Sequence, residues 1–181
     1  MYKLLLKSFA AVLVAFFVVG CSGKDSMADM PLKKFSSTYT LNNFDFKFKE
    51  SGRDAKNLKY MNENDVKNSF LKDINEHLKL EKISGNEFLV DLDLNYERRF
   101  AFNGNSIVSP LYSFTLKIYD NNKKLITTKK IDTTSPVYVN MEAFSVKTQI
   151  GTNQWDEKDE PTDIENISQR IARELANLGK R

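Results

Sequence analysis

Few side chains in this chain could make or break bonds. There is one histidine, His77, and one cysteine, Cys21, far apart in sequence. No Gly-x-Ser-x-Gly elbow, His-Glu-x-x-His pair or Gly-rich phosphate loop occurs. Paired carboxylates remain, since glycoside hydrolysis needs only two. Asp91, Asp93 and Glu97 stand two or four apart, so on a strand they point the same way. Calcium, however, takes oxygens from a loop that wraps the ion. We therefore read this acidic row as a solvated sheet face, and His77 as a boundary residue near a helix C-terminus, where the dipole favours it. No catalytic residue, no metal site and no cofactor is expected, and the protein is not expected to be an enzyme.

Cys21 has a different context. Lys3 and Lys7 mark a charged start, Ser8 to Val19 is almost wholly apolar, and Val18-Val19-Gly20 leads into the cysteine. This is the order of a secretory signal, with a small-residue exit. The apolar run is shorter than the roughly 20 residues a spanning helix needs. The segment resembles the lipobox of bacterial lipoproteins. The resemblance implies cleavage between Gly20 and Cys21, a diacylglyceryl thioether on Cys21, and fatty acylation (palmitate or similar) of the new amino terminus. Two or three acyl chains would hold the protein to a membrane essentially permanently. Ser22 is not the aspartate that resembles an inner-membrane retention signal. In a host with two membranes, that favours the periplasmic face of the outer membrane.

Three parts follow: a cleaved signal peptide over residues 1–20, a lipidated cysteine and tether over 21–37, and one domain over 38–181. The tether has no apolar periodicity. Fully extended at roughly 3.3 Å per residue, it reaches on the order of 50 Å. Signal removal takes Lys3 and Lys7 from a formal charge of +3 and leaves +1. The remaining lysines are dispersed among acids, without the clustered basic and aromatic residues of a nucleic-acid surface. No nucleic-acid partner is expected. With Cys21 acylated, neither a disulfide nor a cysteine zinc site is available.

Patterning supplies the domain. Phe44, Phe46 and Phe48 alternate with Asp45, Lys47 and Lys49, which predicts a strand over Tyr39 to Lys49. Val66, Phe70, Ile74 and Leu78 form an apolar stripe on a helix from Asn62, its N-cap, to Leu80. Phe88, Val90, Leu92, Leu94 and Tyr96 share one face of a strand over Asn86 to Phe102. Pro110 precedes a strand over Leu111 to Tyr119, and Asp120-Asn121-Asn122 turns it into a return limb, Lys123 to Ile131. The lysines and threonines of that limb suit a sheet edge. Ser135 to Glu160 fits no single period; a further strand or a short helix near Met141 to Thr148 would each accommodate part of it. Its acidic run Asp156 to Glu160 reads as surface, with Trp155, Asp156 and Glu157 as a candidate partner contact. Thr162 and Glu165 suggest a capping box for a last helix, Pro161 to Leu178. Ile164, Ile167, Ile171, Leu175 and Leu178 make its inward face.

The expected fold is α+β: a two-layer sandwich, with a mainly antiparallel sheet of four or five strands and two helices on one face. This element order resembles the small α/β periplasmic domain of several outer-membrane lipoproteins. These include the lipoprotein subunit of lipopolysaccharide export, the amino-terminal part of the curli-export lipoprotein, and lipoprotein activators of penicillin-binding proteins. The resemblance spans roughly residues 38–180. It implies a non-enzymatic binding or accessory module in envelope assembly or maintenance, held to the membrane by lipid on Cys21, with an envelope protein or glycan as partner. The alternative is an immunity or exclusion lipoprotein that occludes a toxin or receptor.

Overall fold

The computed structural model describes residues 37–52, 60–80, 86–101, 107–137 and 159–178. The signal segment, Gly20, Cys21, most of the tether, and Trp155, Asp156 and Glu157 lie outside them. Six elements run in the order β1 (Thr38–Ser51), α1 (Glu63–Leu80), β2 (Glu87–Phe100), β3 (Ile107–Tyr119), β4 (Leu125–Thr134) and α2 (Glu160–Leu178). The four strands form one sheet in sequence order. The fold is α+β, with both helices beside one sheet face, as their periodicity predicts. The sheet is mixed, because β1 pairs with β2 in parallel while β2–β3 and β3–β4 are antiparallel. A parallel neighbour needs a crossover, and α1 supplies it.

Each stripe read from the sequence is buried. Val66, Phe70, Ile74 and Leu78 of α1 meet Ile164, Ile167, Ile171 and Leu175 of α2 over Val90, Leu92 and Leu94 of β2 and Tyr112, Phe114, Leu116 and Ile118 of β3. Fully burying one such side chain is worth about 1.5–3 kcal/mol. β1 joins this core through an irregularity. Register shifts between Leu41 and Asn43, leaving Asn42 as an extra residue. The bulge changes the parity of the strand, so odd-numbered Tyr39 and Leu41 and even-numbered Phe44, Phe46 and Phe48 all reach the core side. Phe70 then sits between Phe46, at 5.7 Å, and Tyr96, at 5.4 Å and edge-on.

The termini of the helices follow side-chain chemistry. Asn62 Oδ1 accepts from the Asp65 amide at 3.0 Å, and its Nδ2 donates to Asp65 Oδ2 at 2.7 Å, a reciprocal cap on α1. The expected Thr162–Glu165 box does not form. The helix starts earlier, with the Asp159 carbonyl accepting from the amides of Thr162 and Asp163. Glu165 faces α1 instead, 2.9 Å from His77 Nε2. β3 also starts earlier than expected, at Ile107, and contains Pro110. Proline cannot donate to a ladder, and it sits where the β2–β3 register shifts, between Glu97 and Arg99. In the β3–β4 turn, Asp120 Oδ1 accepts from the amides of Asn122 and Lys124.

Period two carries β2 past Tyr96 to Arg98, so a guanidinium enters the core side of the sheet. Arg98 is 3% exposed and Glu160 is fully buried. Nε and Nη2 of Arg98 donate to the two Glu160 oxygens, each at 2.8 Å. Nη1 donates to Glu50 Oε1 at 2.5 Å and Nη2 to the Met61 carbonyl at 2.6 Å. The rings of Phe48 and Tyr60 lie 4.9 and 5.2 Å from the guanidinium carbon. Burial opposes the charge on Arg98, but its bonds to Glu160 outweigh that and hold its pKa above the ordinary value. Tyr96 donates to Glu160 at 3.2 Å. Burial, reinforced by the Glu160 charge, pushes the Tyr96 phenol well above its usual range, so it remains a donor. The expectation that Glu160 belongs to an acidic surface run is corrected: it is the buried first residue of α2, where the helix dipole also favours a carboxylate.

Two stability predictions follow from this geometry. Gly52 has φ of 97°, and an added Cβ would lie 2.8 Å from the Phe100 carbonyl oxygen. Gly52→Ala should lower unfolding stability in urea by more than about 1 kcal/mol. Arg98→Met strands the Glu160 carboxylate and should cost about 3–5 kcal/mol, of which the second change Glu160→Gln should restore part. Additive losses in the double variant would contradict the coupling.

Candidate functional site

Both helices cover one face of the sheet. Among the described residues no helix lies on the other face. It is built from the outward positions of all four strands: Asn43, Asp45, Lys47 and Lys49 of β1, Asp91, Asp93, Asn95 and Glu97 of β2, Leu111, Ser113, Thr115 and Lys117 of β3, and alternate residues of β4. Alternation in the sequence anticipates this wet face, and the structure keeps the acidic row on it.

Each acid of the row has its own partner. Asn42 Nδ2 donates to Asp91 at 2.7 Å, and Lys117 Nζ donates to Asp93 at 3.0 Å. Glu97 accepts from the Ser51 hydroxyl and from Lys49 Nζ, the latter at 3.5 Å. The Ser51 bond holds the Glu97 carboxyl below its ordinary range, with Lys49 adding to it. A general acid needs the opposite displacement. No group of three His, Cys, Asp or Glu side chains that could hold a metal ion occurs among the described residues.

One end of this face is hollow. A depression of about 240 Å³ is lined by Lys47, Lys49, Asn95, Glu97, Leu111 and Ser113, with Thr133 from β4 and the core-facing Phe48, Tyr96 and Tyr112 between them. Two register shifts border it, one between Glu97 and Arg99 and one between Tyr112 and Phe114. Bulges sharpen local twist and re-aim side chains. The floor carries short side chains: Asn95 Nδ2 donates to Ser113 Oγ at 3.1 Å. Further along, the longer Lys117–Asp93 pair spans the same two strands. Sequence reasoning identified the face but not the hollow, because bulge positions leave only faint marks, here Pro110 and Asp132-Thr133.

His77, the one histidine, lies between the helices with its side chain 11% exposed. Its bond to Glu165 holds that carboxyl below its usual range. Asp73, one turn earlier on α1, is displaced upward by burial and by the Glu165 charge. The signs are opposite. Glu165 stabilises the fold above its unfolded value near 4.5 and loses that contribution as pH falls through the lower folded value. Asp73 favours the fold when protonated and opposes it as pH rises. Glu165→Gln should therefore show a smaller loss of Tm than the parent on acidification from about pH 6 to about pH 3, and Asp73→Asn should raise Tm at about pH 7.

The fold and site thus define an α+β domain with one helix-covered sheet face and one on which no helix lies among the described residues. No family model matches the chain, and no curated protein matches it. Among solved structures it is similar to a minor lipoprotein from Acinetobacter baumannii, at 14% identity and a TM-score of 0.35, over 77% of this chain and 95% of that one. No helix among the described residues is long and apolar enough to cross a membrane.

Proposed function

We propose that the protein is a lipid-anchored component of the cell envelope, acylated on Cys21, whose domain is a non-enzymatic binding module in envelope assembly or maintenance. The observation that carries this reading is the sole cysteine of the chain standing directly after Val18-Val19-Gly20 at the end of an apolar, lysine-led segment. In a host with two membranes, Ser22 favours the periplasmic face of the outer membrane. The described domain supports a binding role through its open sheet face, where polar side chains from four strands lie side by side over a buried core. An envelope protein or glycan reaching that face would meet a surface fixed by the sheet rather than by loops.

Metabolic labelling with palmitate and membrane fractionation test the anchor. The parent chain should take up label and sediment with membranes, whereas Cys21→Ser should remain unlabelled and unprocessed or soluble. Normal processing and membrane retention of Cys21→Ser would refute the lipobox assignment. Photo-crosslinkers at Thr115, on the open face, should capture envelope components that crosslinkers at Lys72, on α1, do not.

A further inference from the structure

The depression at the end of the open face has a composition that selects a ligand class. Its wall on β1 is cationic. Lys47 is exposed, and none of the ion pairs found on this face among the described residues engages it. Lys49 is 67% exposed and only loosely held by Glu97 at 3.5 Å. The floor and far wall offer an amide, two hydroxyls and a carboxylate, on Asn95, Ser113, Thr133 and Glu97, beside one aliphatic side chain, Leu111. Asn95 and Ser113 bond each other but keep spare donor and acceptor capacity.

Position then separates two ligand types. The depression lies on the face of the sheet, where main-chain amides and carbonyls point along the ladder to neighbouring strands. A peptide added to a sheet pairs its amides and carbonyls with an exposed edge strand, whereas this depression lies over the faces of strands of which β2 and β3 are each paired on both sides. A sugar ring brings hydroxyls, each both donor and acceptor, which match Asn95, Ser113, Thr133 and Glu97. Its aliphatic face suits Leu111. The unengaged ammonium of Lys47 calls for an anion. At about 240 Å³ the hollow fits one ring and its substituents, and it is smaller than the roughly 300–1,000 Å³ of drug-sized pockets.

We propose that this depression binds one residue of an acidic saccharide, with the sugar carboxylate at Lys47 and Lys49 and the ring hydroxyls at Asn95, Glu97, Ser113 and Thr133. The proposal rests on the binding-module reading and names the ligand class of that surface. The carboxylate meets Lys47 and the loosely held Lys49 as a charge-assisted contact, and Glu97, held by Ser51 beside Lys49, accepts from a ring hydroxyl. Ionic contacts at this exposure are screened by salt, so binding should weaken as ionic strength rises.

The test is an amide NMR titration of the full chain, purified in detergent micelles, with glucuronic acid as probe and glucose and acetate as controls. Glucuronate should give saturable shifts at Asn95, Glu97, Leu111, Ser113 and Thr133, and bind at least tenfold more tightly than either control. The exposed Lys47→Gln should weaken glucuronate at least tenfold while leaving the rest of the spectrum unchanged. Scattered or unsaturable shifts would overturn the proposal, as would acetate binding equal to glucuronate, which reports charge alone. A uronate oligomer that binds more tightly than the monomer identifies a polysaccharide source, and equal binding identifies a free sugar acid; both retain the ligand class. Loss of this binding with open-face crosslinks intact would sink the saccharide and leave the binding module standing. Glucuronate binding in a chain that is never acylated would do the reverse.

Discussion

The Arg98–Glu160 pair is the constraint on which the arrangement of elements depends. One guanidinium collects β1 through Glu50 and Phe48, the approach to α1 through Tyr60 and the Met61 carbonyl, and the start of α2 through Glu160. An apolar core specifies how much surface is buried but is tolerant of how a helix is placed along its axis. A bidentate carboxylate–guanidinium pair is directional and fixes that placement. Desolvating two charges is expensive, and a hydrophobic replacement of the whole pair can be as stable. What the pair supplies is a unique docking point for the amino end of α2, reinforced by the dipole of that helix and by Tyr96.

The same end of the sheet carries the hollow on the opposite face, and a register shift adjoins both. β3 accommodates an extra residue near Pro110 opposite Arg98, and β4 accommodates another near Asp132 and Thr133 opposite Ser113. Arg98 points inward by the same alternation as Tyr96, and the two register shifts border the outer surface over Asn95 and Ser113. Further along β2 and β3, Lys117 closes over Asp93. β4 lies at the sheet edge, as its lysines and threonines suggest, and its Lys129 approaches Glu174 of α2 at 3.7 Å.

Much of this was legible because period alone decides it. The two helical stripes and the alternation of β2 and β3 identify the buried side chains almost residue by residue, since core burial follows directly from repeat length. The parallel β1–β2 pairing was not legible, because alternation says which face is apolar and nothing about strand direction. The Asn42 bulge hid that Tyr39 and Leu41 share a side with Phe44. Arg98 was hidden by its charge. The apolar face of the strand read over Asn86 to Phe102 ends at Tyr96, although the next inward position is plain from the count, and the partner acid lies over sixty residues away in an acidic run. The hollow was illegible for a related reason: no single residue marks it, and only the register of three strand pairs brings its walls together.

The distribution of charge on the open face argues where recognition concentrates. Asp91, Asp93 and Glu97 are each answered by a donor from a neighbouring strand. Such exposed pairs add little stability, typically under about 1 kcal/mol each. Of the three, Asp93 and Glu97 meet an ammonium and Asp91 meets a neutral amide, while at the β1 wall of the hollow Lys47 has no acid across from it. Lys47 pairs in register with Asn95 rather than with a carboxylate. A carboxylate at position 95 would close the site by an internal ion pair; asparagine leaves the ammonium available and adds a neutral donor to the floor. A ligand that brings one negative charge and several hydroxyls therefore completes an electrostatic pattern that the sheet itself leaves open.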